Sequence, residues 1–379
     1  MFRSNKNISH TIADFKIENR MFRYSVFVPK LYNLCKSMGF ETGKIMPSRA
    51  FCSDESQGYP IILITKHFRT FPFNHGQVGG VVATDRHGPH AEHGKDIVII
   101  QASHVGYDPD TSTFGQYRRI CTEHSEFSSN CGKIDDVIRW YDDEYQFAMD
   151  NIFLIKRDGQ CLIDIDNQLL DDSREEGLFI NMDKLVAAEN GQYNPVQIHS
   201  TSKYFPASDE LKLLFDSSFD PSGKQAIGRH LLAECFYFKR EILGNVEGKS
   251  HLEKNLIKVM PWIVSSDTPL LIAAKINTQV EFDRAFRTIV KANGYKGKRL
   301  IYISGLHIDI SPQEDMLFPL TKFIPWAAYI QYEDGTHKTM EQDELFELLD
   351  AQSVDNPDEI DMEDAIGIME HVKEVKVVV

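Results

Sequence analysis

The chain has 379 residues, of which 42% are hydrophobic and 26% are charged, a composition that is ordinary for a protein with a packed core. The formal net charge of −15 argues against a nucleic-acid partner, because such binding relies on basic patches that meet phosphates. No apolar run approaches the roughly 20 residues that cross a bilayer, and the N-terminal segment lacks the apolar stretch of a secretory signal. We therefore expect a cytoplasmic protein with no membrane partner.

Apolar periodicity predicts a mixture of helices and strands. In chain order, the predicted elements are a helix over 26–40, strands over 59–68 and 96–103, a helix over 133–151, a strand over 151–158, a helix over 228–243, a strand over 269–276, a helix over 280–295 and a strand over 299–306. Their alternation predicts an α/β fold with a central, largely parallel sheet that is flanked by helices.

Two changes in composition suggest domain boundaries. Segment 194–210 is rich in Pro, Ser and Thr and is the best candidate for a linker. Residues 341–379 hold thirteen Asp or Glu against two Lys, a net charge of −11, which is typical of a solvated segment. We therefore expect a first domain over 1–195, a C-terminal α/β region over 196–340 and an acidic C-terminal segment over 341–379.

The six cysteines are too sparse for a disulfide scaffold, so we expect free thiols. Two of them, Cys52 and Cys131, each lie near the end of a predicted element, as does His104. Two thiolates and one imidazole are a familiar ligand set for catalytic zinc, which keeps its fourth position open. A neighbouring carboxylate, Asp54, could orient a bound water, and an arginine could hold that carboxylate. The alternative interpretation is two buried thiols and a hydrogen-bonded histidine.

Other uses of these residue types remain open. One is a local half of a zinc site formed by Cys121, Glu123, His124 and Glu126. No second Cys or His pair at similar spacing completes it. Another is a hydrolase in which Cys52 is the nucleophile and His104 its base, although no nucleophile-elbow or amidotransferase signature surrounds this cysteine. The remaining cysteines fit apolar positions, and we interpret them as structural: Cys35, Cys161 and Cys235.

An ordered set of motifs resembles a known family. The motifs are "CSDES" at 52–56, "GGVVATDRHGPHAEHGKDIVIIQASHVGYD" at 79–108, "FGQYRR" at 114–119 and "SSNCGK" at 128–133. In this order and at these intervals they resemble the limiting-CO2-inducible B/C proteins, the θ-type carbonic anhydrases, over residues 30–190. Ser53 stands where the family has arginine and Ser103 where it has proline, but neither change removes a ligand.

The resemblance implies a fold and a zinc site similar to those of β-type carbonic anhydrases, with a C-terminal α/β extension. It implies that Cys52, His104 and Cys131 bind Zn2+ and that Asp54 pairs with an arginine beside the zinc-bound solvent. Arg119 matches the family's arginine best, and the other candidates are Arg118, Arg49 and Arg86. The implied reaction is the reversible hydration of CO2 to bicarbonate by zinc-bound hydroxide, in a homodimer.

Proton export from such a site needs a titratable group, and histidine suits neutral pH. His90 is nearest to the family's histidine and is therefore the expected shuttle, although His75, His87 and His93 lie in or near the same segment. A histidine in a surface loop often has no such role. A different class of function is a zinc-stabilised, non-catalytic binding module or a sensor of CO2 or bicarbonate. No phosphate loop, dinucleotide fingerprint or haem motif indicates a further cofactor.

Overall fold

The structure is a computed structural model, and it describes most of the chain. The described ranges are 12–82, 95–119, 127–171, 174–215, 223–244, 248–313, 316 and 318–372. These residues divide into two compact units. One, which we name the insert unit, contains Lys133–Ala273, and the other, the sheet unit, combines Ala13–Gly132 with Ala274–Val379.

The described residues form strands and α-helices throughout both units. The strands are β1 (Phe22–Arg23), β2 (Ile45–Ala50), β3 (Phe73–Asn74), β4 (Gly76–Gln77), β5 (Val81–Val82), β6 (Asp96–Asp108), β7 (Thr113–Phe114), β8 (Gln116–Arg118), β9 (Phe127–Ser129), β10 (Ile152–Arg157), β11 (Gln160–Asp166), β12 (Gly177–Ile180), β13 (Gln197–Ile198), β14 (Ser202–Pro206), β15 (Lys224–Ala226), β16 (Phe236–Lys239), β17 (Leu300–Ile310), β18 (Leu320–Gln331) and β19 (His337–Met340). The helices are α1 (Tyr24–Ser37), α2 (Gly58–Phe68), α3 (Gly132–Asp150), α4 (Asp209–Phe215), α5 (Lys249–Leu256), α6 (Met260–Val264), α7 (Pro269–Lys291), α8 (Gln342–Asp350) and α9 (Met362–His371). Within the described ranges, no helix has the length and apolar character needed to cross a membrane.

The sheet unit is built on one mixed sheet with the strand order β1-β18-β17-β6-β2-β3. Its centre is parallel, because β17 pairs in parallel with β6, β6 with β2, and β2 with β3. The antiparallel pairings lie at the margins, where β18 joins β17, β1 and β19, and β7 joins β6. The fold class is therefore the predicted one, α/β with a largely parallel central sheet.

The central strand β6 is buried on both faces, as expected for a parallel strand between two layers of helices. Successive side chains point to opposite faces of a strand. Val98 and Ile100 accordingly belong to a core cluster with α1, α2 and α8 on one face. Ile97 and Ile99 pack with Phe282 of α7 on the other face. The sheet unit is thus a three-layer arrangement of helices, sheet and helix.

The boundaries of the compact units differ from the expected boundary between residues 195 and 196. Strand β17, from the second half of the chain, is hydrogen-bonded to β6 along its whole length. The second half therefore supplies strands to the same sheet as the first half, and the region over 196–340 is divided between the two units.

The insert unit contains an antiparallel sheet with the order β13-β14-β11-β10-β15 and a separate β12–β16 pair. The expected linker over 194–210 was wrong, because it contains β13 and β14 of this sheet. The expected helix over 228–243 was also wrong, since its centre forms β16. The aromatic sequence "FYFK" at this point suits a half-buried strand.

Two predicted strands are helices. The run over 59–68 lies in α2, where Pro60, Ile64 and Phe68 are buried at intervals of four residues. The run over 269–276 opens α7, with Pro269 in the first turn, where proline's missing N–H costs nothing. Short continuous apolar runs do not distinguish a buried strand from a buried helix, which explains both errors.

The acidic segment is partly packed rather than solvated. Helix α8 buries Leu345 and Leu349 in the core cluster of the sheet unit. Beyond the helix, a carboxylate oxygen of Asp358 accepts a hydrogen bond from the hydroxyl of Tyr32 at 2.7 Å. The acidic residues of α8 are exposed, so their charges lie on the side of the helix away from the core: Asp343, Glu344, Glu347 and Asp350.

Gly80 marks a close approach of two backbone segments. Its φ is +77°, and a Cβ at this position would lie 2.1 Å from the carbonyl oxygen of Ala102 on β6. We expect Gly80→Ala to lower the free energy of unfolding by about 2–4 kcal/mol, because it adds left-handed strain to a backbone clash. Gly58→Ala is the control, since a Cβ there meets nothing within 4 Å. Denaturant unfolding measures both, and equal losses would contradict this explanation.

Candidate metal centre

Three side chains that the sequence singled out come together beside the parallel strands of the sheet unit. His104 lies on β6, Cys52 follows the end of β2, and Cys131 directly precedes α3. Because β2 and β6 are parallel neighbours, the chain that leaves β2 stays next to β6. The segments that follow parallel strands are the usual place for a functional site in an α/β sheet.

The ligand atoms of these residues form a compact, buried group. The sulphur atoms of Cys52 and Cys131 are 3.8 Å apart. One ligand atom from each of Cys52, His104 and Cys131 lies within 4.8 Å of the other two, and all three residues are buried. The group could therefore bind a metal ion.

The imidazole of His104 is oriented for such a role. Its Nδ1 lies 2.9 Å from Oδ2 of Asp309, so this nitrogen carries the proton and donates a hydrogen bond to the carboxylate. Its Nε2 is buried and has no hydrogen-bond partner among the described residues. A buried polar atom without a partner is costly and needs an explanation. A metal ion bound at Nε2 supplies one.

Asp309 is a fully buried carboxylate that the sequence analysis did not identify. Its Oδ2 accepts hydrogen bonds from the hydroxyl of Ser56 at 2.7 Å and from Nε2 of Gln57 at 2.8 Å, in addition to His104. Its Oδ1 accepts one from Thr321 at 3.3 Å. A carboxylate that fixes the ring of a ligating histidine is a common outer partner of metal sites.

A second buried histidine is connected to the same network. His307 on β17 is in register with His104 on β6. Its Nδ1 lies 2.6 Å from Oε1 of Gln57. Burial, followed by the nearby charge of His104, holds the pKa of His307 well below its usual range, so this ring is neutral. The Gln57 amide thus joins His307 to the carboxylate of Asp309.

The two thiols influence each other strongly. The hydrogen bond from Cys131 lowers the pKa of Cys52 to about 3, and the same interaction raises the pKa of Cys131. The amide N–H of Gly79 also donates to the Cys52 sulphur at 3.2 Å. Without a cation, one sulphur is therefore a thiolate and the other keeps its proton. A divalent ion would allow both to ionise.

The structure places Arg119 beside Asp54, with Nη2 at 3.4 Å from Oδ1. Arg119 also bonds to Glu55 and Ser128, and its guanidinium lies over the ring of Tyr117 at 5.5 Å. Asp54 is not a member of the group of ligand atoms that lie within 4.8 Å of one another. Its carboxylate is instead engaged with the arginine.

The other described candidate arginines make different contacts. Arg118 lies 3.5 Å from a carboxylate oxygen of Asp110, and the charge of Arg49 acts on Tyr24. Arg86 lies outside the described residues.

Several of the predicted site residues lie outside the described part of the chain. His90, the expected shuttle, lies outside the described residues, as do His87 and His93. The alternative half-site at Cys121, Glu123, His124 and Glu126 is also outside them. His75 is described and buried, and burial together with the charge of Arg49 lowers its pKa to about 3. Its Nδ1 is 2.5 Å from the hydroxyl of Ser48. This histidine therefore stays neutral across the pH range in which a shuttle must titrate.

The other described cysteines are compatible with the predicted structural roles. Cys35 lies in the core cluster of the sheet unit, and burial raises the pKa of its thiol. In the insert unit, Cys161 is half-buried on β11 and Cys235 is buried.

No protein-family model matches the sequence, and no curated protein is significantly similar to it. Similar solved structures include PtLCIB4, a homolog of the limiting CO2-inducible protein LCIB, with 10% identity and a TM-score of 0.47 over 90% of this chain and 100% of that chain. LCIB itself is similar with 13% identity and a TM-score of 0.45, over 90% of this chain and 100% of that chain.

The carboxylate of Asp309 should control metal affinity. We expect Asp309→Asn to weaken Zn2+ binding about 10–100-fold, because an amide is a poorer acceptor for the Nδ1 proton of the ligating histidine. Competition with a chromophoric chelator measures this affinity. Thr321→Val is the matched control, since it removes a hydrogen bond to the other oxygen of Asp309 and leaves His104 untouched. Equal affinity in Asp309→Asn and wild type would show that this contact does not position the ligand.

Proposed function

We propose that the protein is a zinc-dependent carbonic anhydrase, which catalyses the reversible hydration of CO2 to bicarbonate. The observation that carries this proposal is the buried group of Cys52, His104 and Cys131, with a partnerless imidazole nitrogen beside two thiols. The pair of Asp54 and Arg119 begins two residues from the first of these ligands. The sequence motifs imply the same residues for the same roles.

The donor set suits zinc. Two thiolates that are each about 2.3 Å from a tetrahedral zinc ion stand about 3.8 Å apart. The sulphurs of Cys52 and Cys131 have this separation, at 3.8 Å. Three protein ligands with an open fourth position are the pattern of catalytic rather than structural zinc sites. Zinc held in this way would supply the Lewis acidity that makes water nucleophilic near neutral pH.

Asp54 and Arg119 would orient the nucleophilic water. The carboxylate of Asp54 is held from two sides, since its Oδ1 lies 3.4 Å from Nη2 of Arg119 and 3.4 Å from the amide nitrogen of Ser56. A fixed carboxylate can accept a hydrogen bond from the water and turn its lone pair toward CO2. Because the arginine holds Asp54, this carboxylate does not compete for the open ligand position. This arrangement therefore supports a zinc site with an open fourth position rather than one in which Asp54 is the fourth ligand.

Removal of one thiol should abolish both metal binding and activity. We expect the wild type to hold about one zinc per chain and Cys131→Ala to lose the zinc together with CO2 hydration, because two ligands bind zinc far more weakly than three. Plasma mass spectrometry and stopped-flow hydration are measured on the same sample. Cys161→Ala, at a half-buried cysteine of the insert unit, is the control and should match the wild type.

Each other outcome of that experiment points to a different function. Wild type that binds zinc but does not hydrate CO2 would support the non-catalytic binding or sensing module. Wild type without zinc would contradict the assignment of Cys52, His104 and Cys131 as zinc ligands. If alkylation of Cys52 then abolished a hydrolase activity, Cys52 would be a catalytic nucleophile.

A substitution of Asp54 should lower the activity without loss of the metal. We expect Asp54→Asn to keep its zinc but to lower kcat about 100-fold, because the water loses the acceptor that fixes its direction. Glu55→Gln is the matched control: Glu55 also pairs with Arg119, but its side chain is 60% exposed. A change of less than about fivefold is expected there. Equal activity of Asp54→Asn and wild type would contradict the assigned role.

A further inference from the structure

Helix α7 of the sheet unit carries a lysine in an unusual environment. Lys275 is only 7% exposed. Among the described residues its ammonium group makes no hydrogen bond and no ion pair, and it lies over the ring of Phe15, 5.7 Å from Nζ to the centroid. Lysine is almost never buried without a partner, because removal of the charge from water is costly.

Burial lowers the pKa of Lys275 to about 8. An ordinary lysine has a pKa of about 10.4 and is almost entirely protonated at neutral pH. The Lys275 amine is therefore unprotonated in a substantial fraction of molecules at slightly alkaline pH. An unprotonated amine is a nucleophile.

Lys275 lines a cavity of about 550 Å³. The charged residues that line this cavity with Lys275 are Lys16, Glu18 and Arg20. Asp343 pairs with both Lys16 and Arg20, at 2.8 Å in each case, and so holds these two cations in place. Asp343 occupies one donor of each cation, so Lys16 and Arg20 keep further N–H groups that can bind an anion at this cavity, whose lining also includes the carboxylate of Glu18.

These charges indicate which electrophile suits the amine. A carbonyl compound would give an imine, which becomes a further cation when it is protonated, beside Lys16 and Arg20. CO2 instead gives a carbamate, which is an anion whose oxygens can accept hydrogen bonds from the remaining donors of Lys16 and Arg20. CO2 also needs no general acid, because no leaving group has to be protonated.

We propose that Lys275 binds CO2 reversibly as a carbamate in the cavity lined by Lys16 and Arg20. The lone pair of Nζ attacks the carbon of CO2, and an N–C bond forms. One C–O π pair moves to oxygen, and one proton leaves Nζ for solvent. Relative to the protonated lysine, the side chain changes from one positive to one negative charge. This proposal does not require the metal centre to be active.

Chemical trapping tests the proposal on the intact protein. The chain is equilibrated with ¹³C-labelled bicarbonate and CO2 at pH 8, treated with triethyloxonium to esterify carbamates, and mapped by peptide mass spectrometry. We expect a labelled ethyl carbamate on Lys275 and none on Lys338, which is half exposed and pairs with Glu344. At equal dissolved CO2, the label should fall at least about fivefold from pH 8 to pH 7, since the neutral fraction of an amine with a pKa of about 8 falls by that factor.

Two variants complete the test. Lys275→Met should remove the label, whereas Lys16→Gln should reduce it by removing one of the cations. Cys131→Ala should keep the label even when zinc and hydration activity are lost, so failure of the two proposals can be distinguished. Absence of label on Lys275 in the wild type, or equal label on Lys338, would overturn the proposal without any variant.

Discussion

The hydrogen bond between His104 and Asp309 is the contact on which the candidate site depends. It joins side chains of two neighbouring parallel strands, β6 and β17. A carboxylate this deeply buried is stable only when its oxygens are satisfied. The donors that satisfy it include Ser56 and Gln57, which belong to the turn that follows Cys52. One carboxylate therefore fixes both the imidazole of one ligand and the backbone turn beside another.

The sequence allowed the fold class and the buried group of cysteine and histidine side chains to be predicted, because both leave local signals. Asp309 leaves a weaker one. It follows His307 by two residues within the apolar run of β17, so both side chains lie on one face of the strand. That pattern indicates a polar face on a buried strand. The partner of Asp309 could not be predicted, however, because the pairing with His104 depends on the register between β6 and β17, which are distant in the chain.

The errors in the predicted elements have one physical cause. The runs over 59–68 and 269–276 are short and almost continuously apolar, so they show no period that would distinguish a helix from a strand. Each run belongs to a helix that packs on the central sheet: α2 covers the face that contains Val98, and later residues of α7, such as Phe282, cover the opposite face. Tertiary contacts also explain the displaced domain boundary, since nothing in β17 itself indicates that its neighbour will be β6.

The division of the sheet unit between two chain segments has a consequence for biosynthesis. His104 and the carboxylate that orients it are separated by 205 residues, and the whole insert unit is translated between them. A nascent chain that has just released Cys131 contains every proposed ligand but lacks β17, the strand that covers one edge of β6. Unpaired apolar edges of this kind favour association with other chains. Until β17 is synthesised, one edge of β6 is therefore open to association with other chains, and a metal ion that bound at this stage would meet a histidine without the carboxylate that orients it.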